Sequence, residues 1–238
     1  MRLIACLRRA LPALLVVGIA LSACQPAPAV PSLPVAKPAP AGEFRIALTN
    51  ADGSAVRWNP CQPIRYVVNL QDAPPFAVVE AQRAAAVIEA ASGLDLVYAG
   101  TTTERPLRRS YTDVARYGVG WSPILISFAT ATEFPFGSST ASGYGQAVPT
   151  TDPATGKRQY FTGQVVLRPG GWTEGGSSRN PLSLMLRHEL GHVLGLAHVG
   201  LTTEIMGTGG NGTARDWGVG DKQGLAKIGR PAGCLPVL

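Results

Sequence analysis

The sequence predicts an α+β domain running from Gly42 to Leu238, preceded by two segments of quite different composition. Three observations carry that prediction. Five segments rich in β-branched residues are spread along the domain, two helical stretches are bracketed by proline and glycine, and no solenoid-length repeat interrupts them. At about 195 residues the domain is long enough to bury one sizeable core.

The chain opens on "MRLIACLRRA", which carries Arg2, Arg8 and Arg9 and no acid, followed by the apolar run "LPALLVVGIALSA". This is the layout of a secretory signal. A transmembrane anchor is the weaker alternative, because a spanning helix needs about 20 apolar residues. "LSAC" (Leu21–Cys24) resembles the lipobox of bacterial lipoproteins. That resemblance implies that residues 1–23 are a signal peptide and that Cys24 becomes the lipidated first residue. The chain would then be anchored to a membrane of the bacterial cell envelope and face away from the cytoplasm. Two or more acyl chains anchor stably, each buried CH₂ contributing ~0.8 kcal/mol. The other reading is an ordinary signal whose small residues happen to precede a cysteine.

Residues 24–42, "CQPAPAVPSLPVAKPAPAG", hold too much proline for helix or sheet and are expected to form a semi-rigid tether. Without residues 1–23 the chain holds 18 basic and 15 acidic residues, so its net charge falls from +6 to +3. No basic stripe with interleaved aromatics is present, which argues against nucleic acid as a partner.

Within the domain, residues 43–238, the elements follow in order. "IRYVVNL" (Ile64–Leu70) alternates and is β-branched, so it reads as a strand. "PPFAVVEAQRAAAVIEAASG" (Pro74–Gly93) begins with prolines, shows alanine-rich helical spacing and ends on a glycine stop. Further strands are "LDLVYAG" (Leu94–Gly100), "SPILISFAT" (Ser122–Thr130), "SGYGQAVPT" (Ser142–Thr150) and "YFTGQVVLRPG" (Tyr160–Gly170). The polar stretch "TDPATGKRQ" between the last two permits a hairpin reversal. Cys61 and Cys234, near the two ends of the domain, read most simply as one disulfide in an exported protein, with two free thiols as the alternative.

The stretch "LRHELGHVLGLAH" (Leu186–His198) holds every histidine in the chain. Asn180 suits an N-cap, Pro181 suits the first helical position, and Leu182, Met185, Leu186, Leu190 and Val193 supply an apolar face. A helix from Pro181 to about Leu194 therefore carries His188 and His192. Four residues apart, their side chains differ by about 40° around the helix and ~6 Å along it, so both can reach one metal ion. Glu189 lies about 100° round from the first and can reach a water on that ion. His198 would be ~15 Å away on a continuous helix and joins only if the chain turns back. Gly195 is the residue that permits such a turn, because glycine tolerates positive φ. A helix surface that carries two imidazoles by chance is the bland alternative.

"HELGHVLGLAH" matches, position by position, the HExxHxxGxxH zinc signature and thereby resembles the metzincin clan of metallopeptidases. The resemblance implies that His188, His192 and His198 bind one catalytic Zn²⁺, that Glu189 is the general base, and that Met206 in "TTEIMGTGG" forms a Met-turn beneath the ligands. The order of elements is similar to that of matrixins, and "RWNPCQPIRYVVN" resembles a group of small exported bacterial metzincin-like proteins. The implied architecture is a twisted, mostly parallel five-stranded sheet with an antiparallel edge strand, an active-site helix, and a C-terminal helix in "GVGDKQGLAKIG". Two positions depart from the pattern. Val199 replaces the serine of typical matrixins, and Thr208 stands where astacins and serralysins carry a zinc-proximal tyrosine, so no tyrosine ligand is expected. A calcium requirement is not readable.

Together these features point to a monomeric, membrane-anchored zinc endopeptidase acting on a protein or peptide. A zinc held by three neutral histidines keeps an open position for water, whose pKa falls towards ~7, and Glu189 can accept a proton from it. "SGYGQAVPT" would be the sheet edge on which an extended peptide pairs. Two other classes stay in view: a zinc-bearing surface lipoprotein that works as a binding module, and a hydrolase of non-peptide amides in the cell wall. Glu189 argues against the first, since a structural zinc site needs no base and normally takes a fourth protein ligand.

Overall fold

In the computed structural model, which describes residues 42–175, 181–208 and 214–238, the β-branched segments become strands and the two helical stretches become helices. The expected signal peptide, Cys24, nearly all of the tether, and Asn180 lie outside the described residues. Along the chain run β1 (Arg45–Ile46), β2 (Ile64–Asn69), α1 (Ala77–Ser92), β3 (Leu96–Thr102), α2 (Val114–Tyr117) and β4 (Ile124–Phe128). Then come β5 (Gly143–Thr151), β6 (Arg158–Leu167), α3 (Leu182–Leu194), β7 (Leu196–Ala197) and α4 (Val219–Ile228).

Five strands form one sheet in the order β3-β2-β4-β6-β5. The first four are mutually parallel and β5 returns antiparallel to β6 as the edge. This agrees with the expected mostly parallel sheet with an antiparallel edge strand. All five residues of β4 are buried, as befits a strand covered on both faces. One face takes α1, whose buried Ala77, Ala81, Ala84, Ala85 and Ile88 recur at helical spacing. Gly93 ends α1 at φ 68°, with its N–H bonded to Glu89 O. Arg109 fastens the segment after β3 to the sheet, donating to Gly163 O at 2.7 Å, to Thr162 Oγ1 at 2.9 Å and to Pro123 O.

The structure moves three sequence boundaries. The second strand starts two residues later than expected and runs through Gly100 instead of stopping there. Between Tyr66 and Val68 on β2 the pairing advances from Tyr98 to Thr101 on β3, so Gly100, at φ 100°, sits in a bulge. Strand β6 starts at Arg158, two residues before the expected Tyr160, while Pro149 lies within β5 as expected, tolerated because that strand is an edge and the register shifts there. Pro181 is the N-cap of α3, not its first helical residue. Leu182 N–H donates to Thr173 O at 3.1 Å, which holds Pro181 extended at ψ 128°.

The two ends of the domain are clasped. Cys61 and Cys234 form a disulfide with a Cα–Cα separation of 5.4 Å. Around it Arg57 donates to Ala232 O (3.0 Å) and Gly233 O (2.9 Å), while Asn59 exchanges hydrogen bonds with the backbone of Leu235. Trp58, on the same stretch, donates to Val193 O at 2.8 Å and so ties the clasp to α3. The bridge closes a loop spanning 173 residues, so replacing both cysteines with alanine is expected to cost about 2–5 kcal/mol, read as a lower denaturant midpoint. A midpoint unchanged from that of the oxidised protein would show that the polar contacts alone hold the tail.

Candidate metal centre

Helix α3 buries Leu182, Leu186, Leu190, Val193 and Leu194 against the core, which fixes its rotation. The same rotation turns His188 and His192 into a cleft of about 950 Å³. Gly195 ends the helix at φ 117°, its N–H bonded to Gly191 O and His192 O. The chain then reverses through β7, which pairs antiparallel with β1 (Ile46↔Leu196, Arg45↔Ala197). This two-stranded sheet, absent from the sequence reading, guides His198 back towards the helical pair.

The three imidazoles meet at one point. His198 Nε2 lies 3.0 Å from His188 Nε2 and 3.1 Å from His192 Nε2. On the helical pair, the far nitrogens are committed elsewhere: His188 Nδ1 donates to Ile205 O at 2.6 Å and His192 Nδ1 to Leu196 O at 2.9 Å. Carbonyls only accept, so these bonds place the proton on Nδ1 and leave the Nε2 lone pairs free. Burial lowers the pKa of all three, with the neighbouring His188 also lowering that of His192, which falls to about 4. At neutral pH the cluster is therefore uncharged. Converging unprotonated nitrogens repel unless a cation sits among them, and ligands at ~2.0–2.1 Å from a tetrahedral ion stand about 3.3 Å apart. The donor set fits a metal ion, and His188, His192 and His198 are the group that can hold one.

Glu189 borders the same cleft and is 5% exposed. Burial pushes its carboxyl up to about 8 in the metal-free fold. A cation on the histidines favours the ionised form.

Met206 is 2% exposed beneath α3, its sulfur against the bare Cα of Gly191. Its turn is closed by Val199 N–H to Met206 O (3.0 Å) and Thr208 N–H to Val199 O (2.9 Å). Val199 is buried, and the Thr208 hydroxyl donates to Val199 O at 3.2 Å.

Two functional residues escaped the sequence reading. Glu204, just before this turn, accepts from Gly220 N (3.0 Å) and Asp221 N (2.9 Å), satisfying open donors at the start of α4. Asp221 answers from α4, accepting from Ile205 N, Met206 N (3.2 Å) and Gly218 N (3.0 Å). Helix and turn thus cap one another, and Ile205, held in this way, is the residue whose carbonyl orients His188. Asp221 was legible in principle, as an acid three residues after Gly218 at a helix start. Glu204 had no such signal, because nothing in "TTEIMG" marks its acid as buried.

Compared with known proteins, the chain matches no protein-family model and no curated protein.

Asp221→Asn leaves an amide facing backbone donors and should loosen Ile205. The expected result is ~10–100-fold weaker metal binding, as is typical when a residue orienting a ligand is lost, measured by competition with a chelator. A second test concerns pH. Glu189 keeps its proton up to about 8 when folded but loses it near 4.5 when unfolded. Between those values the unfolded state binds fewer protons, so stability falls as pH rises. Metal-free Glu189→Gln should gain on wild type across that window and match it below, as read by chemical denaturation at several pH values.

Proposed function

We propose that this chain is a zinc-dependent endopeptidase of metzincin type, tethered to the bacterial envelope through a lipid on Cys24. The observation that carries the reading is the placement of Glu189. A buried carboxylate opens into the same cleft as three converging neutral imidazoles, next to an edge strand. A site built only to hold an ion needs no such group.

In this reading His188, His192 and His198 hold the zinc through Nε2. Bound there, the ion supplies a water acidic enough to ionise near neutral pH and a positive charge that polarises a carbonyl. Glu189 takes the proton from the attacking water on a carboxylate oxygen and returns it to the departing amine. The outer edge of β5 offers backbone groups to an extended peptide, because among the described residues no strand pairs beyond it. Leu184, Met185, Ile205 and Ala214 also line the cleft and give it apolar surface.

The deciding experiment assays the purified zinc-loaded domain on a denatured protein, with and without chelator, beside Glu189→Ala. The expectation is cleavage that the chelator abolishes and that the mutant loses by ~10²–10⁴-fold while retaining zinc. A wild type that binds zinc yet cleaves no peptide that the mutant spares ends the peptidase reading. Assaying cell-wall amides would then decide for the non-peptide hydrolase.

A further inference from the structure

The contact between β5 and α3 is unusually close at one residue, the one proposed as base. Strand alternation sends Gly143 and Gly145 to the face that meets α3, and Tyr144 to the other, where it packs on Phe134 at 5.2 Å between ring centroids. A methyl group at Gly143 would overlap Glu189 Oε1 and sit 2.8 Å from both its Cδ and Leu167 Cδ2. At Gly145 it would overlap the Glu189 main-chain oxygen, 2.8 Å from the carbonyl carbon and 3.0 Å from Cα. Both glycines therefore abut a single helical residue, one at its side-chain end and one at its backbone.

We propose that Gly143 and Gly145 are positioning residues of the site. The bare Cα of Gly143 seats the Glu189 carboxylate, and Gly145 sets the distance between α3 and the strand that would receive substrate. Neither touches the reacting atoms. A single β5 strand thus fixes both the base and the line along which a peptide would lie. The effect on rate rests on the peptidase reading, whereas the seat itself does not.

The two positions differ in what must yield. At Gly143 the obstacles are side-chain ends: the Glu189 carboxylate, which borders the cleft and can rotate, and a methyl of buried Leu167, which must repack. At Gly145 the obstacle is helix backbone, which can do neither. Gly143→Ala should accordingly lower the melting temperature only as far as repacking Leu167 requires, keep zinc affinity within about 3-fold, and swing Glu189 out of place. Because a misplacement of ~1 Å can cost 10²-fold, kcat on an unstructured peptide should fall at least ~10-fold with KM little changed. Gly145→Ala should instead lower the melting temperature, as strand and helix separate.

The test uses the full chain loaded with zinc for kinetics and with Co(II) for visible absorption. Displacement of the Co(II) spectrum of Gly143→Ala towards that of Glu189→Ala supports the seat. A wild-type spectrum with wild-type kcat overturns it; if Leu167 keeps Gly143→Ala from folding, the same comparison is made between Leu167→Ala and Leu167→Ala with Gly143→Ala, where unchanged spectrum and kcat overturn it. If the wild type cleaves no peptide, the peptidase reading fails and the Co(II) spectrum alone decides the role of Gly143.

Discussion

Two backbone carbonyls, Leu196 O and Ile205 O, decide where the metal-facing nitrogens point. An imidazole on a helix can rotate and can carry its proton on either nitrogen, and a fixed acceptor behind the ring removes both freedoms. Each acceptor must in turn be held. Leu196 is held by its pairing with Ile46, and Ile205 by the carboxylate of Asp221. The short sheet, the glycine that ends α3 and the paired acids at α4 are three separate supports for the same two oxygens.

The buried acids divide by how they are satisfied. Asp221 and Glu204 are 1% and 3% exposed and spend their oxygens on backbone N–H groups. Glu189 is as buried but faces the cleft, where burial alone raises its pKa. Hydrogen-bonded carboxylates hold the frame, and the third faces open space beside the histidines.

Much of this was legible. The sheet strands, α1, the hairpin joining β5 to β6 and the disulfide follow from periodicity, turn residues and cysteine count, which are local signals, while the antiparallel edge came from the family resemblance. His188, His192, Glu189 and the turn at Gly195 follow from helix geometry. Illegible were the features that depend on pairing distant segments. Arg45–Ile46 is too short to announce a strand and becomes one only against Leu196–Ala197. Glu204 reads as a surface acid until α4 is laid beside it. Gly143 and Gly145 look like ordinary turn-prone residues until the helix is seen pressing on them.

The reciprocal capping of Glu204 and Asp221 has an evolutionary consequence. Each carboxylate satisfies donors on the segment that carries the other, so replacing either one strands amides on the other's segment while leaving the second acid buried. Neither position can drift alone. A change at one calls for a compensating change at the other, so the junction between turn and helix is expected to vary as a unit.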